Sequence, residues 1–142
     1  MIQKTFTTER IFKASRKDVW RAITEKELMK QWYFDLPEFK AEVGFKFEVT
    51  GGEVGGTQYL HHFEILEVIP EQKLMHTWCF VGFEGMSYLT YELFDEGKNT
   101  KLKLTHSGLE SFPSDIPDFE FHKFEMGWNN IIHVSLKNFL EK

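Results

Sequence analysis

Apolar and polar positions change period several times along the chain. In residues 3–12, QKTFTTERIF, they alternate loosely, which predicts a first strand. After Ser15 the spacing becomes helical, with Val19, Trp20 and Ile23 of ASRKDVWRAIT on one face. Ser15 followed by Asp18 is a capping start: a hydroxyl accepts from orphan N–H groups, and a carboxylate suits the first turn. EKELMKQWYF predicts a second short helix that buries Leu28, Trp32 and Phe34 and ends by Pro37.

From residue 44 the period is two. GFKFEVTGG puts Phe45, Phe47 and Val49 on one face and Lys46, Glu48 and Thr50 on the other. GGEVGG, residues 51–56, is a hairpin connection. TQYLHHFEILEVIP, EQKLMHTWCFVG, MSYLTYELF and TKLKLTHSG read as further strands. Leu89, Tyr91 and Leu93 share one face, as do Leu102, Leu104 and His106, while Lys101, Lys103 and Thr105 look to water. LESFPSDIPDFEF, residues 109–121, has no clean period and reads as a loop over the mouth of whatever the sheet encloses. The last helix runs from about His122 to Leu140, roughly 28 Å. Phe124, Trp128, Ile131, Ile132, Ser135, Leu136 and Phe139 form its apolar arc, opposite Asn130, His133, Lys137 and Glu141. The order strand, two short helices, antiparallel strands, long helix defines an α+β domain over residues 1–142, with helices on one side of the sheet.

Several stretches together resemble one family. DVWRAIT followed by ELMKQWYF, then VGFKFEV, LEVIPEQKLMHTW, SYLTYEL, NTKLKLTHSGL and GWNNIIHVSLKNFL resemble the activator-of-heat-shock-protein-ATPase-like proteins. These belong to the birch-pollen-allergen and START-like superfamily, SRPBCC. The similarity runs from about residue 6 to 140. It implies a helix-grip fold, a curved antiparallel sheet of six to seven strands wrapped around a long C-terminal helix. Relatives hold lipids, steroids, polyketides or plant metabolites between sheet and helix; some are cyclases, and one branch stimulates a chaperone ATPase. That activator also carries an N-terminal chaperone-docking domain, for which 142 residues leave no room.

Composition narrows the classes. Aromatics make up 16% of the chain and Phe alone numbers 15, which favours a packed core with rings left over for a pocket. Net charge is −5 without a basic stripe, so nucleic acid is not an expected partner. MIQKTFTTERIF alternates instead of offering a signal peptide, and no apolar run spans a membrane. The single cysteine, Cys79, excludes an intrachain disulfide and suits a reducing compartment, so a cytoplasmic location is expected.

Candidate chemistry is sparse. His61 and His62 are neighbours on a strand and point to opposite faces, Cys79 lacks a ligand partner, and neither a metal nor a cofactor is expected. GGEVGG lacks the Lys-Ser/Thr of a phosphate loop. His76 and Cys79, three apart on one strand, also diverge, so they form no nucleophile–base pair. His106 has two readings, a polar anchor for a ligand's oxygen or a core histidine bonded to backbone. Glu125 is either a cavity acid–base group or a solvated first-turn carboxylate. The expected function is binding of a small hydrophobic ligand (a lipid, polyketide or aromatic metabolite). Phe45, Phe47, Trp78, Tyr91, His106, Glu125 and Trp128 are its expected contacts, gated by residues 109–121. A cyclase or hydrolase using a cavity His or Glu, and a chaperone-stimulating module, are the alternatives. The Gly-rich hairpin and the 109–121 loop equally suit homodimer contacts.

Overall fold

The computed structural model describes residues 3–142; Met1 and Ile2, which head the alternating N-terminal stretch, lie outside the described residues. Strand β1 (Phe6–Phe12) is followed by helices α1 (Arg16–Thr24) and α2 (Lys26–Met29). Then come β2 (Lys46–Gly52), β3 (Gln58–Ile69), β4 (Lys73–Phe80), β5 (Ser87–Glu96) and β6 (Asn99–Ser107). All pairings are antiparallel, in the order β1-β6-β5-β4-β3-β2. Two short 3₁₀ turns, Leu109–Ser111 and Pro117–Phe119, lead to the C-terminal helix. That helix comprises α3 (Phe121–Asn130), a π-helical stretch (Ile131–Leu136) and a last turn, α4 (Lys137–Leu140). This is an α+β helix-grip fold.

Alternation decides what the sheet turns inward. Phe6 and Phe12 of β1, Leu102, Leu104 and His106 of β6, and Leu89, Tyr91 and Leu93 of β5 are buried. So are Leu74, His76, Trp78 and Phe80 of β4, Phe63 and Ile65 of β3, and Phe47 of β2. On the outer face Lys103 stands between Glu9 and Glu92 across the ladders, pairing opposite charges. A register shift between Ile65 and Glu67 bends β3, and such bulges increase local twist.

At the start of α1 the Ser15 Oγ accepts from the Asp18 N–H at 3.1 Å. Val19, Ala22 and Ile23 are its buried residues, and Trp20 is half-buried. Helix α2 ends at Met29, well before Pro37, because it is a single turn. One turn cannot carry a face across ten residues, so Met29 is buried and Leu28 only half-buried. Trp32 is buried and donates its indole N–H to Ala22 O at 2.9 Å, tying this segment to α1.

The C-terminal helix buries Phe124, Trp128, Ile132 and Leu136, spaced by four throughout. In a regular α-helix each step of four overshoots a full turn by about 40°, so such a row would drift off the sheet. The π-helical stretch winds more loosely and holds Ile132 and Leu136 against the strands. It also corrects the expected position of His133. That side chain is half-buried against β1, with Nε2 2.7 Å from Thr8 Oγ1 and Nδ1 accepting from Arg10 Nη1 at 3.3 Å.

Candidate functional site

The helix does not close the sheet completely. A cavity of about 400 Å³ remains where the β2–β3 hairpin, the inner ends of β3 and β4, the Pro117–Phe119 turn and α3 meet. Each wall follows from a local rule. Alternation along β3 and β4 turns Tyr59, His61, Trp78 and Phe80 inward. The helical step of four brings Phe124 and Trp128 to the opposite wall, with Ile131 beside them. Phe34 and Phe119 complete the ring of aromatics. Phe80 and Phe119 stack at 4.3 Å between centroids, and Phe112 stacks on Phe124 at 5.8 Å. Phe112 and Phe119 are buried, so the 109–121 segment is pinned by its own rings and contributes wall. Gly127 faces the cavity from the helix, and a Cβ there would meet nothing within 4 Å.

Polar groups sit at the rim. Lys123 Nζ donates to Glu53 Oε1 at 2.8 Å, joining helix to hairpin, and Tyr59 OH donates to Asp118 Oδ2 at 2.7 Å. That bond, ahead of burial, raises the Tyr59 pKa. His61 is the one imidazole on the wall. Its Nδ1 lies 3.0 Å from Tyr59 O and 3.2 Å from Val49 O, so Nδ1 carries the proton and the lone pair is on Nε2. Burial lowers its pKa, opposed by those carbonyl bonds.

The expected contacts divide. Trp78 and Trp128 stand on the wall. Phe45, Phe47, Tyr91, His106 and Glu125 do not line it. Phe47 stacks on Phe63 at 4.7 Å and Phe45 stacks beside Phe47 at 6.1 Å, one cross-strand pair removed from His61. Tyr91 pairs with Leu74, four residues along β4 from Trp78, a distance of roughly 13 Å. Glu125 is exposed on α3.

His106 is fully buried and holds the sheet to the helix. Ser87 Oγ donates its only hydrogen to Trp78 O at 2.7 Å, so it accepts from His106 Nε2 at 2.8 Å. Trp128 Nε1 donates to His106 Nδ1 at 3.0 Å. The chain Trp128→His106→Ser87→Trp78 therefore fixes one neutral tautomer and uses both ring nitrogens. Burial, and then nearby His76, lower the His106 pKa to about 3. His76, with Nδ1 donating to Thr77 O at 2.8 Å, is lowered by burial to about 4.

Sequence reasoning missed Phe34, Tyr59, His61, Phe80, Phe119 and Phe124 as wall residues. Alternation separates the two faces of a strand; it does not say which end of a strand the helix leaves uncovered. Among the described residues, no three His, Cys, Asp or Glu side chains converge to hold a metal. Nor is any helix among them long and apolar enough to cross a membrane.

A curved sheet gripping a C-terminal helix, with an aromatic cavity at the open end between them, defines a helix-grip protein. Residues 13–141 match the family "Activator of Hsp90 ATPase homolog 1-like protein", and the chain belongs to that family. A human relative, "Activator of 90 kDa heat shock protein ATPase homolog 1", is 24% identical over 131 residues, 92% of this chain. The chain spans about a third of that relative's length, 35%. Among solved structures, MLL2253 from Mesorhizobium loti is 26% identical with a TM-score of 0.78, covering 97% of each chain. Mll3558 from Rhizobium loti is 22% identical with a TM-score of 0.82, covering 98% of each, and shares the fold.

Proposed function

We propose that this domain binds a small, flat, apolar molecule in the aromatic cavity between the β2–β3 hairpin and α3. The observation that carries the reading is the cavity itself: about 400 Å³, walled by rings, with its charged groups confined to the rim. Ligand sites are usually 300–1,000 Å³ and mostly apolar. Burying roughly 250 Å² of ring surface at about 25 cal/mol per Å² gives at most about 6 kcal/mol, a Kd of tens of micromolar. Titration with the naphthalene dye anilinonaphthalene sulfonate tests this. One saturable site is expected, weakened in Gly127→Leu, which adds bulk at a cavity-lining position where a Cβ meets no neighbour. Undiminished dye binding by a folded Gly127→Leu protein would remove the reading.

A second reading rests on the family match: the domain contacts a heat-shock ATPase, as the human relative's name suggests for that protein. Its test is the chaperone's ATPase rate with this chain in molar excess; an unchanged rate discards it. Catalysis by His106 or Glu125 ranks behind both, since His106 has both nitrogens engaged and Glu125 is exposed.

A further inference from the structure

The inward face of β1 runs Phe6, Thr8, Arg10, Phe12, and its two polar members are half-buried where they meet His133 of the C-terminal helix. Arg10 is the unusual one. The chain carries 22 acidic side chains against 17 basic ones, yet among the described residues no carboxylate forms an ion pair with this guanidinium. Its Nη1 donates instead to the His133 imidazole at 3.3 Å, its Nε is buried without an acceptor, and its Cζ lies 6.0 Å from the Phe12 ring centroid. That leaves a second hydrogen on Nη1 and both hydrogens of Nη2. Nη2 forms no bond to the protein and, unlike Nε, is not buried, so solvent reaches it.

The imidazole beside the guanidinium is itself fixed. Because Nδ1 accepts from Arg10, Nε2 carries the proton and donates to Thr8 Oγ1 at 2.7 Å. The π-helical stretch turns His133 to this seam, and such irregularities within helices recur at functional sites. Burial, and then the Arg10 charge, lower the His133 pKa, so the ring adds no charge of its own. Arg10 therefore presents one positive charge and two coplanar nitrogens. A carboxylate matches both, with one charge and two coplanar oxygens. A phosphate dianion would bring a second negative charge to a chain already at −5. We propose that Arg10, at the seam of β1 and the C-terminal helix, is a carboxylate-binding site that takes the two oxygens end-on at Nη1 and Nη2. The carboxylate belongs either to a free acid or to an acidic side chain of a protein. Neither Arg10 nor His133 lines the aromatic cavity, so the site is independent of what binds there.

The test is an NMR titration of the full chain, at constant pH and ionic strength, with propionate and with propionamide as its neutral counterpart. The buried Arg10 Nε–H is shielded from exchange with water and reports on the guanidinium. Propionate should shift it and the His133 Cε1–H saturably at millimolar concentration, and propionamide should shift neither. The His133 shift should be lost in Arg10→Gln. In Arg10→Lys, which keeps the charge without the two-nitrogen fork, propionate should bind about tenfold more weakly. The wild-type comparison needs no variant to fold. An acetylated, amidated Val-Glu-Val peptide then separates the two sources. Tighter binding than propionate assigns the carboxylate to a protein side chain, and equal or weaker binding assigns it to a free acid. No saturable shift with propionate or the peptide, equal shifts from propionamide, or tighter binding of inorganic phosphate would overturn the assignment.

Discussion

Acidification from pH 7 to pH 5 should destabilise this protein by about 4 kcal/mol through two core histidines. His106 and His76 are buried as neutral rings, held at about 3 and about 4 against an ordinary 6.5. At pH 5 the unfolded chain protonates both, whereas the native state protonates neither to any extent. Unfolding therefore takes up about two protons, and stability rises with pH from about 4 to 6.5 and levels off above it. Each group contributes about 1.4 kcal/mol per pH unit, or about 2 kcal/mol between pH 6.5 and 5. His61 is shifted in the same direction and adds to the trend. The assay is urea unfolding followed by tryptophan fluorescence at pH 7 and pH 5. With a slope near 2 kcal/mol per molar urea, the midpoint should fall by about 2 M. In His106→Gln, which can still accept from Trp128 and donate to Ser87, the pH difference should shrink to about half. A midpoint that is the same at both pH values, or a His106→Gln difference equal to that of the wild type, would refute the reasoning.

Other substitutions test separate parts of the account. Trp128→Phe keeps a ring but strands His106 Nδ1 as a buried acceptor, and should cost about 1–3 kcal/mol in denaturant unfolding. Ser15→Ala removes the cap on Asp18 N–H and should cost about 1 kcal/mol by the same assay. Among the described residues, Glu71, in the β3–β4 turn, is the non-glycine residue with a left-handed backbone, φ 62°. Glu71→Gly should therefore stabilise by up to about 1 kcal/mol, seen as a higher melting temperature.

The fold was legible because its signals are periodic. Phe45-Phe47-Val49, Leu89-Tyr91-Leu93 and Leu102-Leu104-His106 each mark one strand face, and Ser15 with Asp18 marks a helix start. The π-helical stretch had a signal too, the unbroken spacing of four through Phe124, Trp128, Ile132 and Leu136, but a fixed 100° step reads it as a broad arc and turns His133 outward. The site was legible only in kind. Rings in excess of the core's needs predicted an aromatic pocket, yet Trp78 and Tyr91 look equivalent in sequence. Their difference is four residues of position along β4, fixed by the register with β5 and by where the helix ends its contact. His106 illustrates the same limit. Both of its readings needed a buried imidazole, and the partners that decide between them, Ser87 and Trp128, lie 19 and 22 residues away.

The most direct test of the central claim is a methyl NMR titration of the protein with naphthalene. Ile131 is a half-buried wall residue of the cavity, whereas Val81 and Met86 are exposed apolar residues that do not line it. A binding cavity predicts saturable shifts, one equivalent per chain, concentrated at Ile131. Unsaturated shifts of similar size at Val81 and Met86 would contradict it and leave the aromatic cluster as core alone.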